Sequence, residues 1–195
     1  MAIKAAPGER YTIRRQVFKL FGGGFDIYDA SGLPVGYCRQ RAFRLKEDMR
    51  VYTDRSESTE LFRISARQVI DFSATYDVLL PSGDLIGSLR RKGAKSLLRD
   101  HWLVLNPAGA EIATLIEDSG WLAFARRFID YVSLISPQRF TMTAADGARI
   151  ASFRQHFNPV IYRLGIGIHA EHDQIDDLMV LAAGCLLAAI EGRQN

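Results

Sequence analysis

Little in this chain marks a specialised sequence. Of its 195 residues only two are cysteine, Cys38 and Cys185, far apart and with no CxxC pair. That excludes a disulfide framework and a cysteine-based zinc centre, and predicts a reducing, cytoplasmic setting. Six prolines are too few for a Pro-rich linker or a collagen-like repeat. Charge of one sign is scarce: 25 Lys and Arg face 22 Asp and Glu, for a net +3. Nucleic-acid-binding domains carry a larger basic excess, and no aromatic stripe interleaves the basic residues, so no nucleic-acid partner is expected. The opening MAIKAAPGER has no apolar h-region, which predicts no secretory signal. The longest apolar run, Leu178 to Ile190, is thirteen residues. A bilayer span needs roughly 20.

Catalytic signatures are missing too. No GxSxG elbow, HExxH pair or GxxxxGK[ST] loop occurs. Gly22-Gly23-Gly24 has no βαβ unit around it and reads as a flexible hairpin loop. Glu117 and Asp118 are adjacent, so on a strand they face opposite sides and cannot act as an acid/base pair. The chain is expected not to be an enzyme and to need no cofactor.

What is present is a repeated unit. Phe25–Gln40, Tyr76–Lys92, Trp102–Asp118 and Phe140–His156 each open with alternating apolar residues and reach a polar turn ending in Gly32, Gly83, Gly109 or Gly147. Four residues beyond that glycine stands Gly36, Gly87, Ala113 or Ala151. Each copy reads as a β-hairpin whose glycine takes a positive φ and whose small residue lets another element come close. Uneven spacing between the copies excludes a fixed-period solenoid. Further strands are expected at Tyr11–Leu20, on both sides of Lys46–Asp48, at Glu60–Ala66 and at Val160–Ile168.

Two helices interrupt the strands. One, N-capped by Ser119, sets Trp121, Leu122, Ala125, Phe128, Ile129 and Val132 at helical spacing and is expected to lie outside the sheet. The other runs from about Gln174 to Glu191, is led by Asp176 and Asp177, and is apolar on every side. A helix with no polar stripe must be buried all round. About twelve strands enclose a lumen too wide for their own side chains to fill. The expected fold is mainly β: one domain over residues 1–195, a closed antiparallel barrel of about twelve strands around the 174–191 helix, with residues 1–9 as a flexible N-terminus.

This architecture, and the segments FDIYDASG (Phe25–Gly32), FRLKEDMRVYTD (Phe43–Asp54), ELFRISAR (Glu60–Arg67), YDVLLPSGDLIGSLRRK (Tyr76–Lys92), SLLRDHW (Ser96–Trp102) and IEGR (Ile190–Arg193), resemble the LURP-one-related family of the tubby-like and phospholipid-scramblase superfamily. The resemblance implies a twelve-stranded barrel around one helix, with no enzymatic chemistry known in the nearest family. Tubby proteins bind phosphoinositides through basic residues on the barrel, and scramblases are associated with calcium-stimulated lipid movement. The chain departs from scramblases in lacking their Pro-rich N-terminal region and their cysteine cluster, and from tubby proteins in its C-terminal ending.

The densest basic segment is Arg90, Arg91, Lys92, Lys95 and Arg99, the candidate seat of a phosphorylated headgroup or other polyanion. The plainer reading is a charged sheet edge that resists aggregation. A second cluster, Arg39, Arg41, Arg44 and Lys46, is diluted by Glu47 and Asp48 and reads as facing water. His169 and His172, with Glu171 and Asp173 beside them, meet metal-ligand spacing only loosely, and an acidic helix entrance is the expected reading. The leading expectation is a binding or scaffold barrel whose partner is an anionic lipid headgroup or a protein, with at most peripheral membrane contact. The alternatives are a scramblase-like membrane effector and an enzyme with an unrecognised site.

Overall fold

The protein is described here by a computed structural model covering residues 5–16, 24–39, 49–68, 74–92, 101–118, 138–156, 158 and 161–191. Its strands are β1 (Tyr11–Gln16), β2 (Phe25–Asp29), β3 (Pro34–Arg39), β4 (Met49–Tyr52), β5 (Glu60–Gln68), β6 (Thr75–Leu79), β7 (Leu85–Arg91), β8 (His101–Leu105), β9 (Glu111–Glu117), β10 (Arg139–Ala144), β11 (Arg149–His156) and β12 (Ile161–Ile168). One helix, α1 (Asp177–Glu191), follows them among the described residues. Every strand pairs antiparallel with its neighbours in sequence, and β1 pairs with β12 to close the barrel. The expected outer helix after Ser119 lies outside the described residues, as do the Lys46–Asp48 turn and Gly22-Gly23.

The four repeated hairpins are one structure used four times. In each, the turn glycine has a positive φ, from 83° at Gly109 to 95° at Gly83. Its N–H donates to the carbonyl three residues back, as Gly32 does to Asp29 and Gly147 to Ala144. Only glycine takes that backbone without a steric penalty. Each hairpin then has a β-bulge at the same place: Val35, Ile86, Ile112 and Ile150 are the extra residues, and the pairing resumes at Gly36, Gly87, Ala113 and Ala151. A bulge resets which side chain points inward. So the small residue enters the barrel, and at Gly87 the reason is direct. A Cβ there would stand 2.7 Å from the Leu105 carbonyl and 2.9 Å from Met179 Cε of the helix.

Helix α1 begins where the sequence provides a cap. The Asp176 side chain accepts the Leu178 N–H at 2.7 Å, and Asp177 is acidic in the first turn, as the helix dipole favours. Residues 179–189 are buried without interruption. Fifteen residues make about 22 Å of helix. Around it Phe25, Phe62, Phe140 and Phe153, each below 2% exposed, line the inner wall with Ile13, Ile27, Leu89 and Leu164. Gly184 faces β1 and β12, where an added Cβ would collide with Ile166 Cδ1. The helix and wall touch at that point because neither Cβ nor side chain intervenes.

The described part of the N-terminal segment is tied to the barrel. Residues 6–9 close a turn in which Glu9 N–H donates to the Ala6 carbonyl at 3.0 Å, and Arg10 N–H donates to the Ile166 carbonyl at 2.7 Å. Arg10 also reaches Asp177 of α1 at 3.1 Å. Backbone pairing with β12 holds this stretch, a constraint that a polar, Pro-Gly-containing sequence does not announce.

Candidate functional site

Strand alternation sends every second residue to the outer face. On this wall a recurrent choice at those positions is arginine flanked by core residues. Arg63 lies between Phe62 and Ile64, Arg163 between Tyr162 and Leu164, and Arg50 between Met49 and Val51. Register then sets these arginines against one another. Arg14 is directly opposite Arg163, Arg139 opposite Arg154, Arg39 opposite Arg50, and Arg50 opposite Arg63. Directly opposed residues hold their Cβ atoms about 5 Å apart, and like charges in that relation destabilise a sheet.

Some of these charges are answered locally. Arg39 reaches Glu57 at 2.6 Å, Arg50 reaches Glu60 at 3.3 Å, and Arg163 stands 3.6 Å from Glu9. Asp26 lies opposite Arg14, but a bidentate pair with Arg55, at 2.8 and 2.7 Å, already engages it. Among the described residues Arg14, Arg63, Arg139 and Arg154 form no ion pair. Strands β10, β11, β12 and β1 carry Arg139, Arg154, Arg163 and Arg14 with His156 beside Arg163, and three of the four arginines without an ion pair lie there. Guanidinium forks suit phosphate oxygens, which they grip with two parallel hydrogen bonds.

The basic segment singled out in the sequence is divided by the wall. Arg90 pairs with Thr75 and Leu103 and shares the outer face with Ser88, while Lys92 just beyond it is exposed. Arg91 shares the inner face with Leu89, and its guanidinium lies 5.8 Å from the Trp102 ring centroid. Lys95 and Arg99 lie outside the described residues. Beside Arg90 and Lys92, burial and then the Lys92 charge push the His101 pKa down. No family model, curated protein or solved structure matches the chain.

The histidines before α1 do not converge. Ser152 Oγ lies 2.8 Å from His169 Nε2, whose pKa is lowered by burial and by Arg149, whereas His172 stands 3.8 Å from Asp146. Both precede the helix, so no helical turn sets them side by side. Among the described residues no three His, Cys, Asp or Glu side chains gather as a metal site requires. Cys38 and Cys185 are both fully buried, and burial pushes both thiols far up, away from the reactive thiolate. Glu117 is buried and Asp118 exposed, on opposite sides of the wall. No helix among the described residues is long and apolar enough to cross a membrane.

The opposed arginines went unread in the sequence because strand partners are distant along the chain. One signal was there. The pattern of an arginine between two apolar residues, in FRI, YRL and MRV, marks an outward charge on a half-buried strand.

Proposed function

We propose that the barrel is a non-enzymatic binding module that recognises anionic, phosphate-bearing groups on its outer wall, as displayed by phospholipid headgroups. The observation that carries this reading is the set of arginines placed directly opposite arginines, Arg139 with Arg154 and Arg14 with Arg163. A wall that served only to enclose the core would be more stable with mixed charge at those positions. An anion between the two guanidinium groups converts their repulsion into shared attraction. Arg90 and Lys92 supply a second basic edge on the same outer surface. The sequence resemblance to a superfamily that contains phosphoinositide-binding barrels points the same way.

Sedimentation with phosphatidylcholine vesicles, with and without a minor fraction of phosphatidylinositol bisphosphate, tests the reading. Binding is expected only to the anionic vesicles, and it weakens steeply as salt rises. Arg139→Gln with Arg154→Gln is expected to weaken it about thirtyfold or more, since each lost contact at a charged group costs about 1 kcal/mol or more. Absence of binding at low salt would overturn the proposal. Binding that survives this pair but is lost in Arg90→Glu with Lys92→Glu would move the site to the β7 edge.

A further inference from the structure

Up-and-down pairing returns every second connection to the same end of the barrel. The turns of β2–β3, β4–β5, β6–β7, β8–β9 and β10–β11 therefore lie together, with the stretch that leads from β12 into α1. Those six stretches carry seven acidic residues against a single basic one, Arg55. Asp54, Asp84 and Asp176 among them accept hydrogen bonds within their own turns, which leaves their charge in place.

At the opposite end the balance reverses. Over the three residues of each strand farthest from the hairpin turns there are ten arginines against three acidic residues. Arg14, Arg139, Arg154 and Arg163 all belong to that set. The barrel is thus charged oppositely at its two ends, which stand about as far apart as the length of α1, roughly 22 Å. The Debye length is about 10 Å at 0.1 M salt, so a flat charged surface that touches one end acts on the other about a tenth as strongly. A charged surface therefore distinguishes the ends, and an anionic one attracts the arginine end and repels the hairpin end.

We infer that the barrel meets an anionic lipid bilayer end-on, with the arginine-bearing strand ends against the headgroups and the hairpin turns and the start of α1 turned away. The inference rests on the anion-binding reading above and adds which surface of the barrel the partner meets. End-on docking brings both opposed pairs, Arg139 with Arg154 and Arg14 with Arg163, to the headgroup layer together. A barrel lying on its side would lay Asp146 and the acidic stretch before α1 against the same layer, where like charges repel.

Site-directed labels on the full chain test the orientation. Cys38 and Cys185 are fully buried, so a thiol introduced at the surface is the one a maleimide fluorophore reaches. Thr75→Cys places the label on the outer face of β6 at the arginine end, and Ala108→Cys places it on an exposed hairpin turn. On phosphatidylcholine vesicles containing phosphatidylinositol bisphosphate and a headgroup-nitroxide lipid, quenching is expected to be several-fold stronger in the Thr75→Cys protein. Equal quenching, or stronger quenching in the Ala108→Cys protein, overturns the end-on inference and leaves the anion-binding reading standing.

Asp84→Asn with Asp146→Asn reads the same geometry without labels. With the turns about two Debye lengths from the bilayer, affinity at about 0.1 M salt is expected to stay within about twofold of the unmutated chain. A larger change would place those turns at the membrane and overturn the inference. No binding to the anionic vesicles at low salt overturns both the orientation and the anion-binding reading beneath it.

Discussion

On β11, Phe153 points into the barrel and is 1% exposed, while Arg154, the next residue, points out and faces Arg139 across the strand pair. The same contrast recurs at Ile13 and Arg14, at Phe62 and Arg63, and at Leu164 and Arg163. The inner face is mutually supportive: four fully buried phenylalanines and a helix apolar on all sides fill the lumen. On the outer face, like charges stand opposite one another and a buried threonine hydroxyl lacks a partner. Local choices that agree with the fold contribute to stability, and local choices that conflict with it point to a use outside folding. The inner face accounts for why the protein folds, and the outer face carries the charge on which the proposed anion binding rests.

The sharpest break in that contrast comes from neighbouring residues treated unequally. Phe153→Ala is expected to cost about 3–5 kcal/mol by leaving a cavity in the barrel core, read from the urea midpoint at constant slope. A loss below about 1 kcal/mol would mean that the inner face is loosely filled. Gly184→Leu tests the helix–wall contact from the opposite direction. It must displace Ile166 and is expected to cost about 1–3 kcal/mol by overpacking. At this chain length that lowers Tm by roughly 2–4 °C for each kcal/mol, and an unchanged melt would count against the close contact.

Arg154→Glu carries the opposite sign. It replaces a repulsive cross-strand pair with an attractive one opposite Arg139, so a gain of about 0.2–1 kcal/mol is expected. Vesicle binding falls in the same variant. Stability and binding moving together, in either direction, would dissolve the distinction between the two faces.

The smallest effect lies at the turns. The Asp29 carboxylate accepts hydrogen bonds from the Ser31 hydroxyl and the Leu33 N–H, and these hold its pKa below the usual carboxylate value. Asn106 occupies the same place in its own hairpin and accepts the Ala110 N–H with an oxygen that does not titrate. The folded pKa of Asp29 lies below the unfolded value of about 3.9, so its contribution is complete above that value and is lost as pH falls through the folded one. Asp29→Asn is expected to flatten the acid limb of stability slightly, and Asn106→Asp to steepen it. Urea midpoints compared between neutral and strongly acidic pH would show both changes, and an acid limb insensitive to Asp29→Asn would remove the turn from the acid response.

Much of the fold was legible in the sequence, and little of the site. Hairpin glycines, alternating runs and a helix with no polar face are local signals, readable from a few adjacent residues. The bulges at Val35, Ile86, Ile112 and Ile150 were not legible, although the small residue after each was. A bulge depends on how two strands pair, not on either strand alone. The basic segment from Arg90 was found by density along the chain, and a strand divides such a run between its faces. The arginines of β10, β11, β12 and β1 are sparse in sequence and adjacent only across strands.

The sequence by itself determined the hairpins, the capped apolar helix and, through that helix, the need for a barrel, because each depends on periodicity and burial along a short stretch. Only the tertiary structure decided which strand closes on which, and hence that Arg14 stands opposite Arg163 and that Glu9 reaches His156 across 147 positions of chain. Closure of β1 on β12 sets those neighbours, and register within each pair is a property of two segments at once.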